Sequence, residues 1–106
     1  MRGLIFNGDQ DVRVEDVPDA QIEKPTDAVV KVTMAAICGS DLHYYQHGGF
    51  GTVRIKEPMA LGHEVSGVIE SIAPGVTGHT VGQRIAISPS RPCGHCRFCQ
   101  MGIHNQ

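Results

Sequence analysis

Three cysteines recur at intervals of three residues in Arg91-Pro92-Cys93-Gly94-His95-Cys96-Arg97-Phe98-Cys99. With the thiolates turned inward, one tight loop aims all three at a single ion. Thiolate is a soft ligand, and a structural zinc takes a closed tetrahedral shell, so zinc is the metal this spacing predicts. The stretch 89–106 therefore reads as loop and metal lobe. His95 lies between two ligands and is expected to point outward. The shell needs a fourth ligand, and no cysteine follows Cys99 before Gln106. His104 is the only soft side chain close behind, and it is taken as solvated.

The chain holds 4 cysteines, which could also be read as a pair of disulfides. Their distribution argues for metal instead: Cys38 stands alone and the other three crowd together. The opening residues Met1-Arg2-Gly3-Leu4-Ile5-Phe6-Asn7 show no long apolar h-region and no cleavage pattern. A reducing cytoplasm is then the expected location, where Cys-x-x-Cys binds metal or does redox work. At 106 residues, the chain is one domain at most, with a modest core. A net charge of −2 points to neither nucleic acid nor a membrane surface. The apolar runs are far too short to span a bilayer.

Residues 2–6 and 12–17 alternate apolar and polar side chains around Asn7-Gly8-Asp9, which predicts a hairpin with one buried face. Residues 19–27 read as a connecting loop. Residues 28–37 are rich in β-branched side chains and read as a central strand that delivers Cys38 at its end. Gly39-Ser40-Asp41 breaks the strand, and Ser40 or Asp41 is placed to cap a short helix over 42–46. Gly48-Gly49-Phe50-Gly51 reads as a flexible loop. It is not a dinucleotide-binding glycine motif, because the third glycine would fall at Arg54 and no βαβ unit surrounds it. Residues 65–72 form a further strand, and Val81-Gly82-Gln83 turns into another over 84–87. Short strands with glycine turns predict an all-β barrel or sandwich.

His63 and Glu64 are neighbours just after a glycine, and Cys38 ends a strand 25 positions earlier. Cys, His and Glu together suit zinc, and three protein ligands leave a position for water or substrate, the pattern of a catalytic site. The same residues have plainer readings. A lone cysteine ending a strand serves as a small buried apolar group, and a His-Glu pair serves at a surface or a cap. Ser40 and Asp41 read equally as helix caps, and His43 and Tyr44 as surface residues of the short helix. His47 and His79 have no partner visible in the sequence.

Three stretches, in order, resemble the zinc-dependent medium-chain alcohol and polyol dehydrogenases: Cys38-Gly39-Ser40-Asp41-Leu42-His43-Tyr44-Tyr45, Pro58-Met59-Ala60-Leu61-Gly62-His63-Glu64-Val65-Ser66-Gly67, and Pro92-Cys93-Gly94-His95-Cys96-Arg97-Phe98-Cys99. The likeness covers essentially the whole chain. It is closest to the polyol branch, the sorbitol and especially the L-idonate 5-dehydrogenases, through Arg54-Ile55-Lys56-Glu57-Pro58-Met59 and Ser88-Pro89-Ser90-Arg91-Pro92.

The resemblance implies a mainly β, GroES-like, partly open barrel with a short helix and a cysteine-rich zinc lobe. It implies that 1–106 is the N-terminal part of a catalytic domain, with 89–106 as the structural-zinc lobe. A Rossmann domain binding NAD or NADP would lie outside this chain, so the chain alone is expected to be inactive. By position, Cys38 and His63 would bind a catalytic zinc, with Glu64 as a third or exchangeable ligand. Asp41 would hold the zinc histidine, Ser40 would take the proton of the substrate hydroxyl, His43 would pass it outward, and Tyr44 would line the substrate pocket. Cys93, Cys96 and Cys99 would bind the structural zinc.

The implied substrate is a polyol or sugar acid, and the implied whole protein is a cytoplasmic homo-oligomer, a dimer or tetramer, with no nucleic-acid or membrane partner. The family pattern has a fourth lobe cysteine eight residues after the third, with Gly102 and Asn105 on the approach; that position falls after Gln106. Gln83 stands where many members carry an acidic residue. The competing reading is a non-enzymatic zinc-binding module of the same fold, whose metal would not depend on Cys38.

Overall fold

A computed structural model describes residues 1–104 of the chain. In chain order the elements are β1 (Arg2–Gly8), β2 (Asp11–Asp16), β3 (Ala28–Ala36), α1 (Gly39–His47), β4 (Gly49–Phe50), β5 (Val53–Arg54), β6 (Met59–Ala60), β7 (Glu64–Ile72), β8 (Arg84–Ile87) and α2 (Arg97–Gln100). Strands dominate, as the sequence predicts. They form one sheet in the order β2-β1-β6, a second in the order β3-β7-β8, and a two-stranded hairpin of β4 and β5. Among the described residues no helix is long and apolar enough to cross a membrane.

The predicted hairpin forms with Leu4 opposite Val14 and Phe6 opposite Val12. Its turn is displaced from the expected Asn7-Gly8-Asp9, because Gly8 already pairs with Asp11 after a register shift. Gln10 takes the left-handed conformation, with φ 60°, and its amide donates to the Tyr45 carbonyl at 2.7 Å, tying the turn to α1. The expectation of one buried face fails at the centre of β1. Ile5 and Phe6 are both buried, and consecutive strand residues face opposite sides, so β1 is covered on both faces. β6 pairs with β1 at Ile5 and Phe6 on the edge away from β2, making β1 the middle strand of its sheet.

The stretch read as a central strand is an edge. β3 pairs with β7 from Ala28–Ile72 to Ala36–Glu64, while β7 also pairs with β8. β7 is therefore the middle strand, and it lies close against β3 at Gly67, where a Cβ would collide with the Lys31 carbonyl oxygen. Val32 and Met34 of β3 are 57% and 71% exposed, a hydrophobic composition that burial among the described residues does not explain. The antiparallel register has a second consequence. The end of β3 meets the start of β7, so Cys38 and His63, just beyond those two ends, emerge on the same side of the molecule.

α1 begins three residues earlier than the expected 42–46 and ends one residue later. Neither Ser40 nor Asp41 is the N-cap; Cys38 is. Asp41, in the helix's first turn, reaches back so that its Oδ2 accepts from the Cys38 amide at 2.9 Å, satisfying one of the orphan donors that a helix start leaves. At the other end Gly48 adopts the left-handed conformation, φ 64°, and its amide donates to the Tyr44 carbonyl at 2.9 Å, a glycine-terminated helix end. The glycine stretch that follows is not a loose loop: Gly49 and Phe50 pair with Arg54 and Val53. His79, expected to be free, has its Nδ1 3.2 Å from Gln83 Oε1 in the turn before β8.

Candidate active site

Cys38, His63 and Glu64 each present one ligand atom, and the three atoms lie within 4.8 Å of one another. Cys38 and His63 are half-buried and Glu64 is exposed. Ser40 Oγ sits 3.4 Å from His63 Nε2. On the other side of the ring, His63 Nδ1 is 3.6 Å from Asp41 Oδ1. Asp41 is the one buried charged side chain among the described residues. Its Oδ2 is used by the helix start, and its Oδ1 is buried with no hydrogen-bond partner.

Electrostatics follow from this crowding. The Ser40 hydroxyl, then the Ser40 amide and then His63 stabilise the Cys38 thiolate and pull its pKa below the ordinary thiol value, against opposition from burial and the Glu64 carboxylate. The hydrogen bond with Cys38 is the chief cause that raises the pKa of His63; burial opposes it, and the charges of Asp41, Cys38 and Glu64 add to it.

The donor set fits zinc. One thiolate, one imidazole and one carboxylate are suitable ligands in a number that leaves a position open. An orphaned, buried carboxylate oxygen facing the far ring nitrogen is what a metal-binding histidine calls for: a proton donated from Nδ1 to Asp41 would leave Nε2 unprotonated.

Beside this cluster lies a cavity of ≈ 340 Å³ lined by Ser40, Asp41, Tyr44, His63 and the backbone run Met59 to Gly62. The run is held there because Met59 and Ala60 pair with β1. His43 stands apart from the cavity lining: its ring packs against Phe50 and His47. No sequence signal marks Phe50 as a neighbour of His43, since the contact depends on the β4–β5 hairpin.

The cysteine lobe is a separate centre. The sulfur atoms of Cys93, Cys96 and Cys99 lie within 4.8 Å of one another, with Cys93 and Cys99 3.7 Å apart. The expected loop contains one turn of helix, α2, whose N-cap is Cys96. Backbone amides point at the sulfurs: Gly94 donates to Cys99 at 3.4 Å, Cys96 to Cys93 at 3.3 Å and Cys99 to Cys96 at 3.5 Å. The amides of His95 and Cys96 lead the causes that lower the Cys93 pKa to about 7. His95 turns its Nδ1 to the Cys93 carbonyl, at 2.9 Å, away from the sulfurs. Asn105, read as part of the approach to a fourth cysteine, lies outside the described residues.

Residues 24–106 match the model of the alcohol dehydrogenase GroES-like domain. The chain is 44% identical over 102 residues to a protein named "Probable D-xylulose reductase A" of Neosartorya fischeri, covering 96% of this chain and 28% of that protein. Its structure is similar to the crystal structure of L-idonate 5-dehydrogenase from Escherichia coli, with TM-score 0.84 and 39% identity, covering 99% of this chain and 29% of that one. It is also similar to galactitol-1-phosphate dehydrogenase from Escherichia coli, with TM-score 0.87 and 31% identity, covering 100% of this chain and 30% of that one. The chain thus spans less than a third of the length of these relatives.

Proposed function

The chain belongs to the zinc-dependent medium-chain dehydrogenases through their alcohol dehydrogenase GroES-like domain, and from that premise we propose that it forms the zinc-binding part of an oxidoreductase acting on a secondary hydroxyl of a polyol or sugar acid, L-idonate-like, with NAD or NADP as hydride acceptor. In this reading 1–106 is the N-terminal part of the catalytic domain and 89–106 its structural-zinc lobe. Sequence outside this chain supplies the dinucleotide-binding unit, and the whole protein is a cytoplasmic homo-oligomer. The observation that carries the reading is the convergence of Cys38, His63 and Glu64 within 4.8 Å, with Ser40 3.4 Å from His63 at the wall of a cavity.

Cys38, His63 and Glu64 hold the catalytic metal. When bound, zinc supplies Lewis acidity that lowers the pKa of a hydroxyl brought to it. Asp41 fixes the His63 ring through Nδ1. Ser40, whose hydroxyl faces the metal-ligand cluster, takes the proton of the substrate hydroxyl, and His43 passes it outward. Tyr44 and the Met59 to Gly62 run shape the substrate space. Cys93, Cys96 and Cys99 hold a second, structural zinc.

The test is activity of the whole gene product on a panel of polyols and sugar acids with each nucleotide. Zinc-dependent oxidation lost in Cys38→Ser supports the reading. A product that binds zinc through the lobe alone, with metal content unchanged in Cys38→Ser and no turnover on the panel, favours the non-enzymatic module.

A further inference from the structure

Phe50 is 54% exposed, so burial does not account for a large apolar side chain at this position. Its ring contact does. The Phe50 and His43 rings lie 5.2 Å apart between centroids at an interplanar angle of 88°, the edge-to-face arrangement that aromatic quadrupoles favour. His43 also neighbours His47, one helical turn on, at 5.9 Å between ring centroids. Without Phe50, the exposed His43 would keep only the looser, tilted contact with His47 to restrain its ring.

The backbone that carries Phe50 is unusually fixed for a segment rich in glycine. Gly49 is buried, and a Cβ there would collide with the Val53 carbonyl oxygen, so the hairpin closes tightly only with glycine. The Ile55 amide donates to the Gly48 carbonyl at 2.9 Å. Arg54 Nη1 bonds the carbonyls of Gly51 and Val53 at 2.8 and 3.1 Å, spending its side chain on the turn. At the junction, Gly48 joins the hairpin directly to the end of α1. The hairpin is therefore a short braced arm that presents one aromatic ring to one histidine.

We propose that Phe50 is a positioning residue that holds the His43 imidazole in the orientation from which it receives and releases the substrate proton. The proposal rests on the functional reading above, in which His43 is the outer member of the proton path. Phe50 touches no reacting atom; it acts by restricting His43. A misoriented relay slows proton departure and leaves substrate binding intact, so the loss falls on kcat rather than KM.

Two measurements test this. In the chain itself, NMR should show His43 ring protons shifted by the Phe50 ring current and close contacts between the two rings. Phe50→Leu should abolish both and average the His43 side-chain couplings, while Phe50→Tyr should keep them. Unchanged His43 signals in Phe50→Leu overturn the proposal, whatever the protein's activity. In the zinc-loaded whole protein, Phe50→Leu should lower kcat about threefold to tenfold, the worth of one edge-to-face pair, with KM little changed and with recovery in Phe50→Tyr. The cost should vanish in a His43→Ala background. An equal cost in that background means Phe50 acts through the fold alone and overturns the proposal. Phe50→Met, a milder truncation, is read in the same way should Phe50→Leu fail to fold. A wild-type protein inactive on every alcohol would overturn the functional reading instead, leaving the NMR result to decide whether Phe50 holds His43.

Discussion

Asp41 Oδ1 faces His63 Nδ1 across 3.6 Å, buried and without a hydrogen-bond partner. The other oxygen of the same carboxylate caps α1 through the Cys38 amide. One side chain therefore serves the helix start and the candidate metal ligand together, and the two roles separate by substitution. Asp41→Asn keeps an acceptor for the Cys38 amide but removes the charge that faces His63. Its zinc affinity at the Cys38 centre should fall about 10- to 100-fold, the usual cost of losing such a partner, with the helix retained. Asp41→Ala should add a loss of ~1 kcal/mol in stability. Competition with a chromophoric chelator and urea melts read the two effects apart.

Gly67 should be intolerant of any side chain. A Cβ there meets the Lys31 carbonyl and a Val30 methyl, and the backbone oxygen cannot move without breaking the β3–β7 ladder. Gly67→Ala should cost about 1–3 kcal/mol. Gly39→Ala, where a Cβ meets nothing within 4 Å, should change stability by no more than about 0.5 kcal/mol. Denaturant midpoints of the two variants give the comparison.

In the metal-free chain Cys93 should react first among the lobe thiols. Its pKa is lowered to about 7, against about 8.5 for a free thiol, so near neutrality roughly half of it is thiolate. A depressed folded-state pKa contributes stability that is fully present above the unfolded thiol's pKa and is lost as pH falls through about 7. Alkylation followed site by site against pH should show a Cys93 midpoint near that value, moving up in urea.

Zinc should protect the lobe. Arg91 and Arg97 are exposed and flank or lie within the cysteine run, and binding energy at such a centre is largely folding energy. Trypsin should cut after Arg97 several-fold more slowly with zinc than with chelator, and the difference should disappear in Cys96→Ser.

The local motifs were legible because their geometry is set by near neighbours. Cysteines three apart converge once the chain turns tightly between them, and the hairpin of β1 and β2 follows from alternation. The pairing order was not. Residues 28–37 look like a central strand by composition, and only the pairing of β7 with both β3 and β8, a contact between distant stretches, shows which strand takes the middle. Asp41 was expected to cap a helix and to hold a zinc histidine. The structure places it at the helix start and beside His63, through an N3 position that a short helix over 42–46 did not allow. The glycines of 48–51 suggested looseness, whereas at Gly48 and Gly49 they permit close approach. The contact between Phe50 and His43 joins two stretches whose meeting depends on that hairpin.

The outer position of β3 bears on how the chain behaves at high concentration. In the isolated 106-residue chain, a 9-residue strand with Val32 and Met34 largely bare and one ladder edge unpaired among the described residues is a template for another copy's backbone. Lys31, exposed on the same strand, and the two irregularities of register in the β3–β7 pairing are the deterrents against it. In the isolated chain, replacing Lys31 with an apolar residue should promote self-association, read as loss of monomer on size-exclusion chromatography.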